Sequence, residues 1–180
     1  MTLTKTMLMA ALLLLTGIVP IAAQQIDQAQ IEKGQAIYKS RDYECDSCHG
    51  WSGRGKPADH AYSHFEYGGN SLVLSEMTRG EMIMMISCGR IVRAVNIMPQ
   101  YRGDAWTASY PCWGKVTADM PADQRPLRAP SSMLSPGQIE LVVDYVQAVY
   151  QGKEMTWDWC SRYFDDFQRI CEVWMERGFQ

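Results

Sequence analysis

From Met7 to Leu15 the chain is apolar almost without interruption; after that, apolar positions recur at helical spacing in separate stretches. Ile26, Ala29, Ile31, Ala36 and Ile37, with Tyr38 near the end, predict a helix over 24–40. Gly34 interrupts it, at a cost of about 1 kcal/mol against alanine, which is tolerated where another backbone must come close. Met77, Met82, Ile83, Met85 and Ile86 predict a second helix over 75–87, closed by Gly89. Its methionines at 77, 82, 84 and 85 read as adaptable core filler rather than as thioether ligands.

From Ile91 to Pro130 no helical period persists, and five prolines predict a long irregular loop, of the kind that carries function or is pinned. Ser135-Pro136-Gly137-Gln138 then announces a helix: serine at the cap, proline at the first position, glutamine at the third. Ile139, Val142, Val143, Val146 and Val149 form its apolar stripe, and Gly152 ends it. A last amphipathic stretch spans 155–177. There Cys160 and Cys171 would lie about 16 Å apart in one straight helix. A disulfide needs Cα atoms within about 7 Å, so pairing these two requires a reversal, placed near Asp165-Asp166.

Chain size and charge narrow the class. The stretch 1–23 has Lys5, an apolar run and Ala22-Ala23 ahead of Gln24, the pattern of an export signal; an uncleaved anchor is the alternative. Its apolar run falls short of the about 20 residues needed to cross a bilayer. The remaining 157 residues are the size of one domain, read as 24–152 with an extension at 153–180 packed on it. Lys5 is the only charged residue of 1–23, so its removal takes the formal charge from −3 to −4. A mildly acidic surface argues against nucleic acid as a partner and against adhesion to anionic lipid, and no later segment suggests stable membrane insertion. Six cysteines follow the signal, and an oxidising, exported compartment, such as the periplasm, is where disulfides persist.

Two of the six carry the most specific chemistry. Cys45-Asp46-Ser47-Cys48-His49 reads C-x-x-C-H, the spacing at which two thiols bond to haem vinyl groups while the histidine reaches the iron. Met98-Pro99 lies 49 residues after His49 and offers a soft thioether as second ligand, which raises a reduction potential. His60 or His64, Met120 in a second Met-Pro pair, or no protein ligand are the alternatives. His60 and His64 also read as loop residues near a haem propionate. Trp51, Tyr62 and Tyr101 are candidates for a partner-facing haem edge, or for packing on the porphyrin.

Glycine-containing helix, C-x-x-C-H-G, helix ending in glycine, Met-Pro loop, and a helix with Val142-x-x-Tyr145-Val146: in this order the chain resembles the monohaem class I cytochrome c family, from about Ile31 to Gln151. The resemblance implies an all-α, cytochrome c-like fold around one covalent haem c. It also implies His49 and Met98 as axial ligands, and a crossing of first and last domain helices where Gly34 meets Tyr145 or its neighbours. The gap after Met98 is long for the simplest members and the C-terminal extension is additional. Both are similar to larger exported cytochromes of the cytochrome cL kind, which accept electrons from quinoprotein alcohol dehydrogenases.

Cys88, Cys112, Cys160 and Cys171 allow three connectivities. Loop closure favours Cys88–Cys112 with Cys160–Cys171. The first bond would close about 25 residues around Met98, worth about 3 kcal/mol on the chain-entropy model. The expected role is single-electron transfer without acid–base catalysis, hence not an enzyme. The donor would be a dehydrogenase and the acceptor an oxidase or another cytochrome. A haem subunit fixed to a larger oxidoreductase, with the aromatic tail as docking element, and an open-site haem enzyme or sensor are the other readings.

Overall fold

The computed structural model describes residues 27–55, 69–92, 95–121, 124, 132–165 and 167–177. The expected signal at 1–23, and His60, Tyr62 and His64, lie outside the described residues.

The protein is mostly helical, as the periodicity predicts. α1 (Gln28–Lys39) starts at Asp27, whose side chain accepts from the Ala29 amide. α2 (Cys45–His49) is a single turn. α3 (Arg79–Cys88) begins later than its apolar pattern suggests, because Thr78 and Glu81 form a reciprocal capping box. Met77 therefore lies before the helix rather than in it. Gly89 closes α3 with a positive φ of 69°.

The chain then forms a hairpin absent from the sequence reading: β1 (Arg90–Val92) pairs antiparallel with β2 (Val95–Met98), Arg90 opposite Met98. Three residues against four is too short for an alternating pattern to stand out. Beyond it the irregular stretch is pinned. Cys88 and Cys112 are bonded, with Cα atoms 5.8 Å apart, and Trp106 Nε1 donates to the Cys88 carbonyl at 2.9 Å. Cys88, Ala105, Trp106 and Cys112 bury together as a small separate core. Cys112 and Lys115 exchange backbone hydrogen bonds across Trp113-Gly114, both at positive φ, which is the turn a tight hairpin uses.

α4 (Pro136–Val149) starts at the Ser135–Gln138 capping box and buries the stripe named from the sequence, together with Tyr145. Its last helical residue is Val149; Gly152 follows at φ 66°. α1 crosses α4 at Gly34, where an added Cβ would meet the Leu141 carbonyl oxygen at 2.1 Å and Tyr145 Cβ at 2.7 Å. That contact explains a glycine in mid-helix.

The last amphipathic stretch is broken as its cysteines require. α5 (Trp157–Phe164) ends at Asp165, which has a φ of 47°, and α6 (Arg169–Arg177) returns so that Cys160 and Cys171 bond with Cα atoms 5.8 Å apart. Cys160, Tyr163 and Cys171 join the same buried cluster as Tyr38, Val142, Tyr145 and Tyr150. Lys39–Asp165 and Arg162–Glu32 ion pairs tie this hairpin to α1. Among the described residues no helix is long and apolar enough to cross a membrane.

Candidate functional site

A cavity of about 750 Å³ opens beside α2. Cys45, Cys48 and His49 supply one wall, Met82, Met85 and Ile86 of α3 another, and Val142, Val143 and Val146 of α4 a third, with Met98, Pro99 and Tyr101 completing it. Ligand sites commonly occupy 300–1,000 Å³ and are mainly apolar with few convergent polar groups. Met77, Met82 and Met85 line this space, so three of the methionines read as core filler are its walls. Met120 is not in the lining and packs against the Cys88–Cys112 cluster. Of the two Met-Pro pairs, the first alone faces this cavity.

One turn of helix cannot stabilise itself, because nucleation fixes several dihedrals for a single hydrogen bond. α2 is moreover flanked by Glu44 at φ 53° and Gly50 at φ 74°. Its hold comes from four tyrosine hydroxyls. Tyr101 donates to the Tyr43 carbonyl, Tyr38 to that of Gly50 and Tyr150 to that of Trp51, each at 2.7 Å, and Tyr163 donates to Asp46 Oδ2 at 2.6 Å. Tyr145 and Tyr150 are also joined hydroxyl to hydroxyl at 2.8 Å. Burial pushes the phenols of Tyr38, Tyr101, Tyr150 and Tyr163 up, so all four stay protonated as donors. Sequence reading missed this frame: buried tyrosines look like any other apolar position until their hydroxyls find an acceptor.

His49 is fixed at one ring nitrogen. Its Nδ1 lies 2.9 Å from the Asn70 carbonyl oxygen, which can only accept, so Nδ1 carries the proton and Nε2 keeps its lone pair. Burial lowers the His49 pKa, with the Asn70 carbonyl opposing in part, which favours the neutral ligand form. The approach of residues 69–70 depends on Gly69, where an added Cβ would sit 2.6 Å from Nδ1. Gly69→Ala should push the ring off Asn70 and weaken whatever Nε2 binds. An unchanged ligand-field spectrum in that variant would show the close approach to be immaterial.

Cys45 and Cys48 are not in disulfides. Burial, then Asp46 and Cys48, pushes the Cys45 thiol up to about 12. The raised value keeps the Cys45 thiol protonated near neutral pH. Among the described residues no group of three His, Cys, Asp or Glu could hold a metal ion. The donor set at the cavity is instead one neutral imidazole, one thioether and two thiols on a rigid turn, which fits a covalently attached haem.

Of the aromatics read as a partner-facing edge or as packing on the porphyrin, the described two, Trp51 and Tyr101, are not exposed, and Tyr101 lines the cavity. Tyr101 is 6% exposed and holds α2, while Trp51 is covered by Phe164 and Trp174 at ring distances of 5.0 and 4.9 Å. Leu74, 80% exposed, is an apolar residue of the cavity lining. No protein-family model, curated protein or solved structure matches this chain.

Proposed function

We propose that this is an exported electron-transfer protein of the c-type cytochrome kind, with one haem c bonded to Cys45 and Cys48 and ligated by His49 and Met98. One observation carries the reading: both thiols, an imidazole with a free Nε2 and the Met98 side chain line a single cavity. Bound there, the haem supplies a one-electron couple at its iron. The chain's own tasks are to hold, orient and exclude water. The tyrosine frame fixes the attachment turn, Asn70 sets the imidazole tautomer, and β2 presents the methionine. Valines of α4 and methionines of α3 keep the remaining walls apolar. The two disulfides suit an oxidising compartment, such as the periplasm, where the protein would pass electrons from a dehydrogenase to an oxidase or another cytochrome.

Protein matured in a periplasm should retain haem through denaturing electrophoresis, at one per chain, and titrate as a single one-electron couple. Haem that strips off on denaturation, or none, would overturn the reading. Met98→Ala should lose the weak long-wavelength band of sulfur-ligated ferric haem and admit cyanide or carbon monoxide at neutral pH. If parent protein already binds these freely, the open-site reading takes its place.

A second reading, a haem subunit fixed to a larger oxidoreductase, draws on the tail. Phe167, Ile170 and Met175 stay 71, 42 and 45% exposed on the C-terminal hairpin. Co-elution of native protein with a stoichiometric partner would support it over a free carrier.

A further inference from the structure

The attachment turn is gripped from its far side by the C-terminal hairpin. Tyr163 of α5 donates to Asp46 Oδ2 at 2.6 Å, a short charge-assisted contact with a residue between the two cysteines and one turn before His49. At the other end of the segment, Trp51 packs edge-on against Phe164 and Trp174. The hairpin is closed by Cys160–Cys171 and tied to α1 by Arg162–Glu32, so Tyr163 cannot drift without moving a covalently linked unit.

Among the described residues no cation pairs with Asp46. Lys39 Nζ lies 5.0 Å from the Tyr163 ring centroid and pairs with Asp165. Among the described residues the Tyr163 hydroxyl is thus the side-chain donor that meets the Asp46 charge. Tyr163 is itself 6% exposed, where a hydrogen-bond dipole is weakly screened.

We propose that Tyr163 is a positioning residue: from the C-terminal hairpin it holds the Asp46 carboxylate in place and partly offsets its charge, and the pair adjusts the reduction potential of the iron bound by His49. The inference rests on the haem reading above. Ferric iron carries one more positive charge than ferrous, so a negative group beside the site favours the ferric form and lowers the potential.

Opposite signs test this. Tyr163→Phe keeps the ring but removes the donor, so more of the Asp46 charge is felt and the potential should fall. Asp46→Asn removes the charge, and the potential should rise. Each change should be at least about threefold in the ferric-to-ferrous ratio at fixed potential, or about 28 mV at 59 mV per tenfold for one electron. The double variant should match Asp46→Asn alone, because Tyr163 acts through Asp46. Mere loosening of the turn would move both single variants the same way, and that result, or no shift in either, overturns the proposal. Should Asp46→Asn not mature, Asp46→Ser takes its place with the same expected sign. Failure of parent protein to carry covalent haem would sink the haem reading and this inference with it. A haem-bearing parent with same-sign or null shifts sinks the inference alone.

Discussion

Gly34→Ala should destabilise the protein by about 3 kcal/mol, a large share of the 5–15 kcal/mol by which a domain is usually stable. An alanine Cβ would meet the Leu141 carbonyl oxygen at 2.1 Å, its carbon at 2.9 Å and Tyr145 Cβ at 2.7 Å. Two of those atoms are backbone of α4 and cannot rotate away, so the helices must separate. The about 1 kcal/mol gained in helix propensity is too small to offset this. Separation would also reach the site. Tyr38 sits one turn further along α1, and its hydroxyl holds the Gly50 carbonyl. The urea midpoint and, on the haem reading, the covalent haem yield should fall together. A variant as stable as the parent would mean that α1 and α4 do not cross at Gly34.

Replacing both Cys88 and Cys112 by alanine should cost about 3 kcal/mol from loss of the loop constraint, and should loosen Met98 more than the rest of the site. Cys88 is the last residue of α3, Gly89 follows at positive φ, and Arg90 pairs with Met98. An added Cβ at Gly89 would meet the Met98 carbonyl oxygen at 2.6 Å, so the helix end and β2 lie in direct contact. Without the bond, the Trp106 indole remains as a tie to the Cys88 carbonyl. On the haem reading, cyanide should then displace the methionine at least about tenfold faster, a barrier lowered by about 1.4 kcal/mol. A displacement rate equal to the parent's would show that the hairpin holds Met98 unaided.

Legibility in the sequence followed the range of the forces involved. Ser135-Pro136-Gly137-Gln138 announced α4 to the residue, because a capping box is satisfied within four residues. Thr78 and Glu81 form the same device and set the true start of α3, but the apolar pattern drew the expected start too early. The break between α5 and α6 followed from disulfide reach once Cys160 was paired with Cys171. The β1–β2 hairpin did not show, since its strands are too short to display a period.

At the site, Cys45, Cys48 and His49 stood out because attachment chemistry demands contiguous spacing. Met98 and Met120 sit in equivalent Met-Pro pairs; placement in the chain favoured Met98, and Met98 lines the cavity where Met120 does not. Asn70 and Gly69 carried no local signal, and the four tyrosines none for the hydroxyl contacts they make.

The sequence by itself thus determined what repeats or closes over a few residues: helix periods and caps, cysteine spacing, and a histidine beside the second cysteine. Tertiary structure alone decided which methionine faces that histidine's cavity and which nitrogen of its ring stays free. It also decided which hydroxyls hold a helical turn too short to hold itself. Those outcomes depend on contacts such as Tyr163 to Asp46, across 117 positions of sequence. Folding meets the loop-closure cost of such contacts only once a shared core has formed, and no local pattern encodes their distance or direction.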